Sequence, residues 1–460
     1  MTMTRLSDDQ MRGFIRNGFL AIKTGLSAEA NQDIWDKAEA LFGTDGNPGN
    51  NLMARIPEVR NVFDDPAVDG ALAGVLGDNY FMHPHRHCHY RPPNSEGQQI
   101  HKDSFTRRRH HTRWILAMYY PQDTTVDMGP TGVIPGTHYY NWLKGPIGVR
   151  ERIEGTEGEV PMAVDAGTVL IVHYDIWHRG IGNSSDKKRY MMKFMFTRME
   201  EPQAPSWDNH DADWVSESDG GHDAMWSHMW QWHRGATNGR NAGGPGSIPD
   251  LIKDMQVDDE ATCLDAAYAL GTIGEPAVPA LIDTLRHDSE AVRRNATYAL
   301  TAIGAPAVPA LIEIARDSNE HTRSAAIETL ADIGLPASDA VPQLKHALSD
   351  SSEMVRRHAA EALGTTSQLT SDGVAALAGI LSHEDEFLRR NAAIALARIG
   401  SRAKDATPEL TAALGDHDRY VRGKAAHALW RIGTPEAQDA LFHYLTTSQY
   451  CYSTTADSMY

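Results

Sequence analysis

Cysteine is scarce. The 460-residue chain has only three, Cys88, Cys263 and Cys451, and no two of them form a C-x-x-C pair. That spacing argues against a disulfide framework and a cysteine-zinc site, and it fits a reducing compartment. No stretch approaches the ~18 consecutive apolar residues that read as a membrane span. The opening residues, Met1 to Asp9, include two acidic side chains and no apolar run. Neither a signal peptide nor a membrane partner is expected, and a cytoplasmic location is. Positive charge is short as well: 43 Lys and Arg face 61 Asp and Glu, a net of -18. Nucleic-acid binding needs a basic stripe, so no nucleic-acid partner is expected. What is present is ordinary, with 41% hydrophobic and 23% charged residues. A core can form, and the length allows two to four domains at roughly 100–200 residues each.

Tryptophan is nearly absent from the second half. Nine of the 10 precede residue 240, and only Trp430 follows it. At this junction Gly235 to Gly246 is rich in Gly and Asn and has no apolar periodicity, which reads as a linker. The expected division is an N-terminal domain over 1–234, with a Trp-rich extension at 201–234. A linker at 235–249, helical repeats over 250–445 and a polar tail at 446–460 complete it.

Beyond the linker the sequence repeats itself. Ala269-Leu270-Gly271-Thr272-Ile273-Gly274 is echoed by Ala299-Leu300-Thr301-Ala302-Ile303-Gly304, and both are followed by a Pro-Ala-Val-Pro-Ala-Leu-Ile stretch. Arg293, Arg323, Arg356, Arg389 and Arg422 recur at steps of 30, 33, 33 and 33 residues in Ala-rich segments. A fixed period with helical composition predicts an all-α solenoid of two helices per repeat. Pro279, Pro309 and Pro342 suit the start of each first helix. Gly274, Gly304, Gly334, Gly400 and Gly433 are expected to end helices in αL geometry. Each recurring Arg is expected to pair with an acidic residue in the preceding turn, such as Asp288 or Asp350. The pattern resembles the HEAT family, in particular the short HEAT-like repeats named after phycobilisome lyases. The resemblance implies a scaffold or binding surface, hence a protein partner or a homo-oligomer, and not lyase activity.

The N-terminal domain carries the chemistry. Ser7 can cap a helix reaching about Asn17, Gly18 to Lys23 reads as a strand, and a second helix follows Ser27 to about Phe42. Arg113 to Pro121, Thr168 to His173 and Arg189 to Thr197 read as further strands. Many short strands between Gly/Pro turns suggest a barrel or jelly roll. On an extended strand, His101 and Asp103 face the same way and can meet one ion. His178 is the candidate third ligand. Two imidazoles and one carboxylate are the facial triad of non-haem iron(II). An H-x-D pair alone is weak evidence, since it occurs by chance in many proteins, and it more often marks two surface polar residues.

Several stretches taken in order resemble the phytanoyl-CoA dioxygenase family of iron(II)/2-oxoglutarate oxygenases, over about residues 5–200. Leu6 to Ile22 resembles the family's opening helix and strand, and His101-x-Asp103 its first two ligands. Met128-Gly129-Pro130-Thr131 through Pro135-Gly136-Thr137-His138 resembles its "NGPt…PGSH" turn. Met128 stands where the family usually has Asn, and Thr137 where Ser is common. Ala166 to Ile171 resembles the strand leading to the distal histidine. His178, Gly182-Asn183-Ser184 and Arg189 resemble its "H…N-x-S…R" signature. The resemblance implies a double-stranded β-helix (a cupin-like jelly roll) with flanking helices. Iron(II) would be held by His101, Asp103 and His178, and the distal carboxylate of 2-oxoglutarate by Arg189. With O2 as the third cofactor, the implied reaction hydroxylates a C–H bond of a small organic molecule and releases succinate and CO2. Asp103 favours hydroxylation, because halogenating relatives lack the carboxylate.

Other clusters keep alternative readings. His83, His85, His87 and His89 would share a strand face as a second metal site, a pocket lining or an exposed polar strand. Arg107 and Arg109 could form a cationic rim for an anionic substrate, or a solvated loop. Trp177 could wall the pocket or simply pack. Trp207, Trp214, Trp226, Trp230 and Trp232 could seat the domain on the repeats or cover the site. Two further functional readings stand beside the small-molecule oxygenase. One is an oxygenase acting on a protein that the repeats recruit, and the other is a catalytically idle metal-binding scaffold.

Overall fold

The computed structural model describes residues 3–44, 46–104, 110–141, 158–216, 221–236 and 246–447. It forms two compact units, Met1–Ala307 and Val308–Tyr460. In the first unit, helix α1 (Asp8–Asn17) opens on a capping box: Ser7 accepts from the Gln10 N–H, and the Gln10 side chain accepts from the Ser7 N–H. Helices α2 (Ala28–Thr44), α3 (Leu52–Arg55), α4 (Arg60–Phe63) and α5 (Pro66–Leu76) follow. Asp65 caps α5, with Pro66 in its first turn.

Eight strands build the two sheets expected of a double-stranded β-helix. They are β1 (Phe19–Lys23), β2 (Phe81–Arg91), β3 (Trp114–Tyr120), β4 (Thr131–Val133), β5 (Val160–Pro161), β6 (Thr168–His173), β7 (His178–Gly180) and β8 (Arg189–Thr197). The larger sheet has the order β1-β6-β3-β8-β2, antiparallel throughout. The smaller has the order β5-β4-β7, and residues 95–101 extend it through bridges from Ser95 to Asn183 and His101 to His178. Leu116, Met118, Leu170, Val172 and Met191 of the larger sheet form one core with Val133 of the smaller. The opposite face of the larger sheet lies under helices, with the Phe63 and Phe194 rings 4.6 Å apart. Strand alternation thus buries both faces and leaves the space between the sheets for a site.

Helix α6 (Asp223–His233) comes from the Trp-rich extension, and α7 (Ile248–Asp254), α8 (Glu260–Ile273), α9 (Val278–Thr284) and α10 (Glu290–Ile303) complete the unit. Of the two readings for the tryptophans, packing prevails. Helix α6 lies against α1 and α8. Trp207 Nε1 donates to Asp8 at 2.6 Å, and the Arg12 guanidinium lies 5.0 Å from the centre of the Trp230 ring. The compact unit therefore runs through the first repeat helices.

The second unit repeats a short helix followed by a 14-residue one. The pairs are α11 (Val308–Ile314) with α12 (Glu320–Ile333), α13 (Val341–Ala347) with α14 (Glu353–Thr366), α15 (Val374–Gly379) with α16 (Glu386–Ile399), and α17 (Thr407–Ala413) with α18 (Arg419–Ile432); α19 (Pro435–Thr447) ends the series. Alanine lets the long helices approach: a Cβ on Gly364 of α14 would lie 2.8 Å from the Ala395 Cα of α16. The recurring arginines correct the expected pairing. Arg356 Nη1 binds the carbonyls of Asp350 and Ser351, not a carboxylate. The Asp350 carboxylate is held instead by Arg323 of the preceding repeat, at 2.9 and 2.8 Å. The Arg stem reaches its own turn's carbonyls first, which frees the acid for its neighbour. Asp385 and Asp418 do two jobs, capping α16 and α18 while accepting a two-point contact from Arg357 and Arg390. The glycine geometry also needs correcting. Gly433 is αL, but Gly334 has φ 71 and ψ -132, because the chain turns straight into a 3₁₀ segment there. Among the described residues no single helix is long and apolar enough to cross a membrane.

Candidate active site

Strand pairing assembles the site. His101 and His178 exchange both backbone hydrogen bonds, each 2.9 Å, so their rings leave adjacent chains side by side. The ring centres are 4.6 Å apart. Asp103 closes the third corner, with one oxygen 3.8 Å from His101 Nε2 and the other 3.6 Å from His178 Nε2. One ligand atom from each of the three lies within 4.8 Å of the others. Each Nδ1 faces a backbone carbonyl, His101 that of Gln99 at 2.9 Å and His178 that of Ile176 at 3.1 Å. An Nδ1–H tethered in this way leaves the Nε2 lone pair for a cation. Burial pushes the His178 imidazole down to about 4, against the pull of Asp103, so the ring is neutral at neutral pH. Burial raises the Asp103 carboxyl, but the charges of Lys193 and His178 and a hydrogen bond from Lys193 outweigh it and bring it to about 2. His178 and Asp103 thus stand in the forms that bind a cation.

Arg189 sits at the start of β8 and is 1% exposed. Its Nε and Nη2 both donate to the Gly129 carbonyl, at 3.1 and 2.9 Å. Its Nη1 is buried with no hydrogen-bond partner. Gly129 has φ 71, and a Cβ there would lie 2.5 Å from the Ile181 carbonyl oxygen, so only glycine presents this acceptor. A cavity of about 120 Å³ joins Arg189 to His101 and His178, with Met118 and Thr131 among its walls.

Register then selects further lining residues, of which Arg91, Met191 and Lys193 were not singled out by the sequence reading. On β2 and β8, Arg91 faces Arg189, His89 faces Met191 and His87 faces Lys193. Arg91, His89, Met191 and Lys193 all line the cavity. Lys193 Nζ donates to Asp103 Oδ2 at 2.9 Å. Its signal was available, since it lies four residues beyond Arg189 on a strand and must share its face. Of the readings for the histidine cluster, pocket lining holds for His89. His85, His87 and His89 form a ring row with centre spacings of 5.0 and 4.5 Å. Burial, helped by Lys193, lowers His87 to about 4 and His89 to about 2, so both are neutral. Among the described residues the only group of three or more metal-competent side chains is His101, Asp103 and His178.

Behind the triad lies a second layer. Lys102, between His101 and Asp103, turns the other way. Its buried Nζ donates to the carbonyls of Thr137, at 3.2 Å, and Tyr140, and lies 5.4 Å from the centre of the Trp177 ring. Trp177 is not among the cavity-lining residues. Arg107 and Arg109 lie outside the described residues. Tyr140 continues to His222, and His222 to Asp265 of α8. Glu260 of α8 accepts from the Asn141 backbone and side chain, both at 2.7 Å. His110 is stacked 3.8 Å from the Tyr298 ring of α10 and hydrogen-bonded at 2.7 Å to the Tyr268 hydroxyl of α8. The first repeat helices are therefore bound to the segments around the site.

The family model of phytanoyl-CoA dioxygenase (PhyH) matches residues 14–191, a span that holds all three triad residues and Arg189. Residues 14–191 are a PhyH domain. The domain is of the iron/2-oxoglutarate oxygenase type. The HEAT-repeat model matches five overlapping windows between residues 248 and 454. No curated protein matches the chain. Among solved structures, the chain is similar to the non-heme alpha ketoglutarate dependent carbocyclase SnoK from nogalamycin biosynthesis, at 17% identity over 44% of this chain and 88% of that one, TM-score 0.35. It is also similar to AviO1 from Streptomyces viridochromogenes Tue57, at 14% identity over 43% and 96%, TM-score 0.35. A third is EctD from S. alaskensis with bound Fe, at 18% identity over 43% and 78%, TM-score 0.35.

Proposed function

We propose that the PhyH domain is an iron(II)- and 2-oxoglutarate-dependent oxygenase that hydroxylates a C–H bond of a small anionic organic molecule, releasing succinate and CO2. One observation carries the reading: two Nε2 atoms and a carboxylate converge beside a cavity that both imidazoles line, and its wall holds a buried guanidinium with one nitrogen unpartnered among the described residues. The donor set suits iron(II) and leaves open positions on it. The unpartnered Nη1 suits one carboxylate oxygen. His101, Asp103 and His178 would hold the metal, and Arg189 the distal carboxylate of 2-oxoglutarate. Bound together with O2, these groups supply an oxidant for C–H bonds.

The chain's own work is positioning. The carbonyls of Gln99 and Ile176 fix the tautomer and plane of both rings. The Gly129 carbonyl holds the Arg189 fork by two nitrogens, which leaves the third, Nη1, without a partner among the described residues. With Asp103 as a ligand the metal would have a carboxylate where a halide would otherwise bind, which favours hydroxylation over halogenation. Arg107 and Arg109 belong to this reading as a cationic rim. A protein substrate recruited by the repeats is less favoured, because Glu260, Asp265 and Tyr268 of α8 are already engaged by the oxygenase domain.

Anaerobic addition of Fe(II) and 2-oxoglutarate to the purified chain tests the proposal. A visible metal-to-ligand charge-transfer band is expected, abolished in His178→Ala and weakened in Arg189→Ala. Folded, iron-loaded protein without that band would end the 2-oxoglutarate assignment.

A further inference from the structure

Resting on that reading, we propose that Lys193 anchors an anionic group of the primary substrate, a carboxylate or a phosphate. The argument begins with charge. Among the described residues four cations line the cavity: Arg91, Arg179, Arg189 and Lys193. Arg179 is cancelled by Glu159, which it meets with two contacts of 2.7 Å. Of the remaining three, one, Lys193, is paired with a carboxylate, that of Asp103 beside the cavity, and no carboxylate is among the described lining residues. A divalent metal and a dianionic co-substrate would cancel each other, so the described residues would leave two positive charges in the loaded site. A surplus of that kind in an enclosed space is costly unless an anion enters.

Geometry chooses Lys193 as its receiver. Arg91 is occupied by the carbonyls of Glu96, at 2.7 Å, and Gly180, at 3.2 Å. Arg189 is turned by Gly129 toward its own part of the wall. Lys193 and Arg189 leave β8 about 13 Å apart. That exceeds the separation of the two carboxylates of 2-oxoglutarate, so they are two anchor points rather than one. The Lys193 side chain is only 8% exposed, and its contact is Asp103, whose charge a bound metal draws on. An ammonium has three donors, so two remain for a ligand. Beside it His89 also lines the cavity, with a buried Nε2 that has no hydrogen-bond partner among the described residues. The substrate is therefore an anion whose charged group lies next to Asp103 and its oxidised carbon farther out.

The full-length protein with Fe(II) and 2-oxoglutarate, kept anaerobic, is titrated with acetate and inorganic phosphate, with acetamide as the neutral control. The position of the charge-transfer band is followed. The anions are expected to shift it saturably and acetamide is not. Lys193→Met is expected to weaken the anion response tenfold or more, the loss of one charged hydrogen bond. Lys193→Arg is expected to keep it within about threefold, because the charge survives. Absence of a saturable anion shift in the unaltered protein, an equal response to acetamide, or an unchanged response in Lys193→Met would each overturn the proposal. Loss of the band itself in Lys193→Met before any anion is added would also overturn it, making Lys193 a support for Asp103. A band missing from the unaltered protein is a different result, the failure of the cofactor reading.

Discussion

Replacing Lys102 by Met separates stability from metal binding. The substitution keeps most of the stem's bulk and removes the charge. Two carbonyls, of Thr137 and Tyr140, lose a charged donor, and the Trp177 ring loses its cation. Each charged hydrogen bond contributes about 1.5–3 kcal/mol, and a cation over a desolvated ring about 1–2 kcal/mol. Against these stands the desolvation of a buried ammonium, several kcal/mol, which Met does not incur. The net loss of stability is expected to be small, about 1–2 kcal/mol, or a fall in Tm of about 2–6 °C. Metal affinity has no such offset. Lys102 lies between His101 and Asp103 and against the residue preceding His178, so it ties together the segments bearing all three ligands. Groups that orient ligands in this way typically contribute 10–100-fold in affinity. Mn(II) titration followed by electron paramagnetic resonance, well below the melting temperature, reads the affinity, and scanning fluorimetry reads Tm. A Kd raised at least tenfold with a modest fall in Tm is expected. A lowered Tm with an unchanged Kd would refute the reasoning and leave Lys102 as packing alone.

Two further outcomes are expected. A fragment of residues 1–307 should fold and give the charge-transfer band, whereas 1–236 should not, because it leaves His110 without Tyr268 and Tyr298 and Asn141 without Glu260; a soluble 1–236 fragment with an intact band would show that the repeats are dispensable to the oxygenase. Stability should also fall in acid. Burial holds His173 and His228 at about 4 and His110, His138 and His233 well below 6.5. As pH drops from about 6.5 toward 4 the unfolded chain takes up protons that the folded one does not, so stability is full above that window and lost within it. Each histidine contributes up to about 1.4 kcal/mol per pH unit. Urea midpoints at pH 7.5, 6.5 and 5.5 check this, and a midpoint as high at 5.5 as at 7.5 would contradict it.

Much was legible along the chain because it is local. The alternation and turns of 19–23, 114–120, 168–173 and 189–197 became strands, Ser7 capped α1, and the 33-residue period became paired helices. The H-x-D spacing put His101 and Asp103 on one face, and the order of motifs after Met128, through its resemblance to the PhyH family, pointed to His178 and Arg189. Information of this kind survives in one dimension, since helix and strand periods and caps depend on neighbours a few residues apart.

Other features depended on which distant segments meet. Whether His89 and Lys193 faced the cavity depended on the β2–β8 register, and a slip of one residue would have turned both away. The direction of the Lys102 side chain was implied by strand alternation, but the carbonyls it captures come from residues 137 and 140. In the repeats, Arg356 found carbonyls in its own turn while Asp350 was taken by Arg323, a choice made by the rise from one helix pair to the next. The compact unit runs past the Gly/Asn-rich stretch to Ala307, because Tyr268 and Tyr298, more than 150 residues from His110, complete its packing. The sequence by itself determined which groups could do the chemistry. Only the tertiary structure decided which of them share one buried space, because long-range register and packing are properties of the folded chain and leave no period in the sequence.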